Sequence, residues 1–185
     1  MREEIAIIAA LTKNKRKEKM ALLTIREIGD PILNKKAKEV KESSDRLQEL
    51  IDDMFETMYE TNGVGLAAPQ VGILKRLVVM DVSAEQDQPL VFINPSIVET
   101  SGEQTGYEGC LSVPGKSGLV TRPNYVKAVA LDRNLQPFEI EGTELLARCM
   151  CHEFDHLDGK LYVDLVQGGL VDNEELMEEP AGEDD

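Results

Sequence analysis

Basic residues are scarce in this chain, with 20 Lys and Arg against 35 Asp and Glu and a net charge of −15. That balance argues against a nucleic-acid binder, which needs a cationic footprint. There is no tryptophan, and no apolar run approaches the roughly 20 residues that a membrane-spanning helix takes. The three cysteines are too few and odd in number, which argues against a disulfide framework and for a reducing compartment. Histidine occurs only twice. No internal repeat is present, and 185 residues fit one domain with a proper core.

Both histidines fall in one pentapeptide, His152-Glu153-Phe154-Asp155-His156. On a helix, positions i and i+4 share a face one turn apart, so two imidazoles can bind one divalent ion with the intervening glutamate beside it as general base. The run Thr143–Cys151 consists largely of helix formers, and Asp158-Gly159 supplies a stop. Leu145, Cys149, His152 and His156 fall on one stripe, so the metal face continues an apolar one. A catalytic site needs a third ligand. The extended zinc-protease pattern fails at Tyr162, where it requires histidine. Glu174, Glu175 and Glu178 lie in an acidic tail, a poor place for a rigid ligand. Cys110, in Glu108-Gly109-Cys110-Leu111-Ser112, is the better candidate, since a thiolate with two imidazoles suits zinc or iron(II).

Along the chain, residues 1–19 read as an appendage, with Met20 as a second plausible start. Residues 168–185 read as a flexible acidic tail, leaving 20–167 as the catalytic domain. The last fourteen residues carry eight acids and no base, so the rest of the chain holds −7 of the −15. Asp30-Pro31 opens a short helix. Ser43 or Ser44 caps a longer one whose stripe is Leu47, Leu50, Ile51, Met54, Phe55 and Met58, ended by Asn62-Gly63. Gly63 to Gly72 is uncharged and rich in glycine and alanine. It reads either as a tight loop or as a substrate edge with Gln70 offering an amide donor. Short β-rich runs follow at Leu77–Val82, Leu90–Ile93, Tyr125–Leu131 and Pro137–Ile140, the last two joined by a turn at Asp132-Arg133-Asn134. Leu161–Val163 reads as a final strand. With no helices between the strands, the fold class is α+β, antiparallel sheets packed around a central metal-binding helix.

Three motifs taken in order resemble the signatures of the peptide deformylase family: Gly63-Val64-Gly65-Leu66-Ala67-Ala68-Pro69-Gln70, Glu108-Gly109-Cys110-Leu111-Ser112 and His152-Glu153-Phe154-Asp155-His156-Leu157. The resemblance covers about residues 21–166. It implies a bacterial-type, cytoplasmic enzyme that removes the formyl group from N-formylmethionyl nascent peptides, with native iron(II) replaceable by zinc or nickel. It makes Cys110, His152 and His156 the metal ligands and Glu153 the acid–base. Gln70 and the Leu111 N–H would hold the formyl oxygen, and Val64, Gly65 and Gly109 the edge along which the peptide lies. Leu145 and Cys149 would line a methionine slot with the Arg148 stem at its rim, or equally are plain core residues. Glu108, also expected at the substrate site, would pair with Arg122 to fix the ligand loop. Arg122 could equally be an ordinary surface residue, and Asp155 could orient a histidine or a loop. A monomer is expected, meeting the ribosome only transiently and not through the acidic tail, whose charge ribosomal RNA would repel.

Overall fold

The computed structural model describes residues 22–178. The appendage, the start at Met20 and the last seven residues lie outside it. Asp30 opens the first turn as expected: its Oδ1 accepts from the Ile32 N–H at 3.0 Å, and Pro31 leads a 3₁₀ turn to Asn34. Helix α1 (Asp45–Glu60) starts under Ser44, whose Oγ accepts from the Leu47 N–H at 3.2 Å. It ends where Asn62 turns left-handed at φ 54°.

Among the described residues, eight strands form two antiparallel sheets. The larger has the order β1 (Gly65–Ala67), β2 (Leu77–Met80), β3 (Leu90–Ser101), β6 (Tyr125–Leu131), β7 (Pro137–Thr143). The smaller has the order β4 (Gln104–Cys110), β5 (Val113–Arg122), β8 (Gln167–Asp172). Alternation along β2 explains how the larger sheet is used. Leu77 and Val79 face the α1 stripe of Leu47, Ile51, Met54 and Met58, while Val78 and Met80 face the second helix. Both faces of this strand are therefore buried. Helix α2 (Glu144–Leu157) lays Ala147, Met150, Phe154 and Leu157 on that second face and turns its opposite side to β4 and β5. The metal-motif helix is thus the central element, between two sheets.

Asp158-Gly159 stops α2 as read, with Gly159 at φ 73°. A Cβ at Gly159 would lie 2.6 Å from the Asn34 carbonyl oxygen, so only glycine fits. Beside it the Ala37 N–H donates to the Leu157 carbonyl at 2.8 Å. The N-terminal segment therefore clamps the carbonyl end of the metal helix. The Asp132 turn joins β6 to β7, with Asp132 Oδ1 accepting the N–H groups of Asn134 and Gln136.

Two readings are corrected. Tyr162–Asp164 is a 3₁₀ turn and not the final strand. The final strand is β8, followed by a short helix α3 (Asn173–Glu178), so ordered structure continues past the expected boundary at residue 167. Composition there is dominated by charge, but the backbone of β8 pairs with β5, Lys116 against Asp172 and Ser117 against Val171.

Candidate metal centre and active site

Helix α2 brings the two imidazoles to one face with ring centroids 5.1 Å apart. Cys110 arrives from β4. Its strand register runs Gly109 against Ser117 and then jumps to Cys110 against Val113, an irregularity that re-aims the last residue. One ligand atom each from Cys110, His152 and His156 lie within 4.8 Å of one another. Cys110 Sγ is 3.3 Å from His156 Nε2. Burial, reinforced by the His152 and Arg122 charges, pushes His156 well below the ordinary imidazole value, leaving a lone pair for a ligand bond. His152 moves the other way. Burial lowers it, but Cys110, Glu108 and Glu153 outweigh burial, the same pull a cation in this place would feel. A sulfur and two nitrogens converging in a buried place fit a divalent ion. Among the described residues this is the only such group, so Glu174 and Glu175 do not take part in one.

Glu153 lies beside the centre, buried, and among the described residues its Oε2 has no hydrogen-bond partner. Burial lifts its carboxyl to about 7, with the Glu108 charge adding and His152 opposing. Gly65 of β1 rests directly on it: a Cβ there would come within 2.6 Å of Glu153 Oε1. The 3₁₀ turn Ala68–Val71 carries Gln70, whose Oε1 accepts from the Ala67 N–H at 2.9 Å. That bond aims Gln70 Nε2 at the centre, 3.4 Å from Cys110 Sγ and 3.2 Å from Ser112 Oγ. Leu111 forms the turn between β4 and β5.

These groups open into a cleft of about 430 Å³. Val64, Gly65, Gln70, Glu108, Gly109, Cys110, Leu111, Leu145, Arg148, Cys149, His152 and Glu153 all line it, while His156 sits behind. Leu145 is half exposed at the mouth, and Cys149 is buried within, its Sγ 3.8 Å from the Val64 carbonyl oxygen.

Residues 22–169 match the family model described as polypeptide deformylase. The peptide deformylase of Agathobacter rectalis is 65% identical over 153 residues, covering 83% of this chain and 95% of that protein. That of Lachnoclostridium phytofermentans is 62% identical over 149 residues, covering 80% and 91%. The crystal structure of the Legionella pneumophila peptide deformylase superposes with a TM-score of 0.78 at 48% identity, covering 80% of this chain and 88% of that one. This chain belongs to the polypeptide deformylase family. The family match ends at Gly169, inside β8, so Asn173 and helix α3 lie beyond it.

Around this deformylase centre the charges are more tightly bound together than the sequence suggests. Glu108 is buried, and both its oxygens are committed. Oε1 accepts from Arg122 Nε at 2.9 Å and Arg148 Nη1 at 2.8 Å, and Oε2 accepts from Arg122 Nη2 at 3.1 Å. Glu108 Oε2 also lies 2.9 Å from His152 Nδ1, a bond that fixes the ring so that its other nitrogen faces Cys110. Burial pushes the Glu108 carboxyl up, but His152 and Arg122 outweigh it and hold it at about 2. Asp155 Oδ2 completes the chain, accepting from Arg122 Nη1 at 2.7 Å.

Glu108 lines the cleft, with its carboxylate oxygens turned to Arg122, Arg148 and His152. The expected pairing of Glu108 with Arg122 is found, and of the two readings of Arg122 the buried ion pair holds and the surface residue does not. Arg148 lines the cleft, and its head turns inward to Glu108 and the Gly106 and Val120 carbonyls. Asp155 orients Arg122, and through it Glu108. Sequence reasoning missed Ser112, Tyr107, Tyr162 and Asn173. Tyr162 stacks on His152 at 5.7 Å and donates from its hydroxyl to the Lys116 carbonyl at 3.1 Å. Its spacing after His156 was the available signal. Tyr107 and Asn173 line the cleft.

Proposed function

We propose that this chain removes the formyl group from the N-terminal formylmethionine of nascent peptides, and that the hydrolysis runs in the α2 cleft with iron(II) held by Cys110, His152 and His156. The observation that carries the reading is the buried, unpartnered Glu153 oxygen beside three converging metal donors. A divalent ion there would supply Lewis-acid polarisation of water and of the formyl oxygen. Glu153 takes a proton from the attacking water at its carboxylate. Burial raises this carboxyl above the usual carboxylate range, which suits it to receive the proton and to return it to the leaving amine nitrogen. Gln70 Nε2 and the Leu111 N–H stabilise the charge that grows on the formyl oxygen, donors set in place before the reaction. The products are formate and a peptide with a free amino group.

The peptide lies along Val64, Gly65 and Gly109, where the two glycines, lacking side chains, let one backbone approach another. Its methionine enters between Leu145 and Cys149. A monomer acting in the cytoplasm, touching the ribosome briefly and not through the acidic tail, fits the reducing-compartment cysteine pattern and the acidic charge. Among the described residues, no helix is long and apolar enough to cross a membrane. Formate release from a formyl-Met tripeptide tests the reading, using protein loaded with nickel(II) or anaerobic iron(II) beside Glu153→Ala. Release that is lost in the variant is expected. A fully metallated wild-type protein that releases none would overturn the assignment.

A further inference from the structure

Asn173 stands in the cleft wall although it lies beyond the family match. Two bonds across the smaller sheet hold it there. Its Oδ1 accepts from the Ser117 hydroxyl at 2.7 Å, and the preceding Asp172 pairs with Lys116 Nζ at 2.7 Å. Strand register sets the line. Gly109 of β4 faces Ser117 of β5, which faces Val171 of β8. Gly109 has no side chain, and a Cβ there would sit 3.3 Å from Ser117 Oγ. The glycine edge along which substrate is read to lie is therefore backed by Ser117 and, through it, by the Asn173 amide. With Oδ1 taken by Ser117, the Nδ2 hydrogens are what this side chain has to offer a ligand.

We propose that Asn173 is a substrate-contacting residue that donates from Nδ2 to a backbone carbonyl of the peptide downstream of the formylmethionine, and so favours an extended chain over formylmethionine alone. The proposal rests on the deformylase reading. It gives the C-terminal segment a role: β8 and the Lys116–Asp172 pair carry an amide to the far wall of a cleft whose chemistry lies on α2 and β4.

The test compares formyl-Met amide with formyl-Met-Ala-Ala-Ala amide on nickel-loaded wild type, Asn173→Ala and Asn173→Asp. The aspartate keeps the acceptor that Ser117 holds and loses the donor. Both variants are expected to raise the KM of the longer peptide relative to the shorter by about five-fold, the size of one neutral hydrogen bond, with kcat unaltered. Equal changes on both peptides, no change on either, or a wild-type ratio in Asn173→Asp would each overturn the contact. Wild type that releases formate from neither peptide would instead sink the deformylase reading. Fluorescence anisotropy of a labelled formyl-Met-Ala-Ala-Ala would then test the contact alone, a wild-type affinity in Asn173→Asp refuting it.

Discussion

The two sides of helix α2 bury residues for opposite reasons. One side sets Ala147, Met150, Phe154 and Leu157 on the larger sheet and is held by apolar burial, each large side chain contributing about 1.5–3 kcal/mol. The other side sets buried His152 and half-buried Arg148 and Asp155 against buried Glu108 and Arg122, where every charge needs its partner. The apolar side accepts any side chain of suitable volume. The charged side is a closed set in which removing one member strands another. Stability is spread over the first side, and the orientation of His152 is concentrated in the second.

The largest effect expected is on chemistry. Glu153→Ala should lower kcat by about 10²- to 10⁴-fold with the metal retained, measured by formate release alongside metal content. Cys110→Ala should do so by losing the metal, so the two variants separate base from ligand. Next, Arg122→Ala leaves Glu108 and Asp155 short of a partner in a buried place. A loss of about 3–5 kcal/mol in denaturant unfolding is expected. Adding Glu108→Gln to it should recover part of that loss, and a purely additive double mutant would break the picture of a closed set. Met150→Ala, on the apolar side, should cost about 2–5 kcal/mol through the cavity it leaves. Met150→Leu, the smallest effect, should cost under about 1.5 kcal/mol and leave kcat alone. A comparable tolerance on the charged side would erase the contrast.

How much of this could be read beforehand depended on whether a signal was local. The α2 motif, its Asp158-Gly159 stop, the Ser44 cap and the α1 stripe are local patterns, and each is found in place. Strands β4 and β5 were not legible. Gly106, Gly109, Gly115 and Gly118 interrupt their alternation, and at Gly118 the reason is tertiary: a Cβ there would run into the Val166 side chain. The Cys110 ligand could be picked by elimination, but the inward turn of Arg148 could not, because it depends on carbonyls that β4 and β5 present. The tail misled by its composition. Charge density argues for looseness only where the backbone has no partner, and β5 offers one.

The clamp on the carbonyl end of α2 also bears on the order of assembly. Ala37 and Asn34 emerge from synthesis long before Leu157 and Gly159, so the contact that seals the helix is among the least local in the chain. Cys110 must wait in an unfinished sheet until both imidazoles have been made. Grip on the ion is therefore a property of the completed fold and not of any earlier fragment. Amide hydrogens of the last turn of α2 should exchange only when the whole molecule opens.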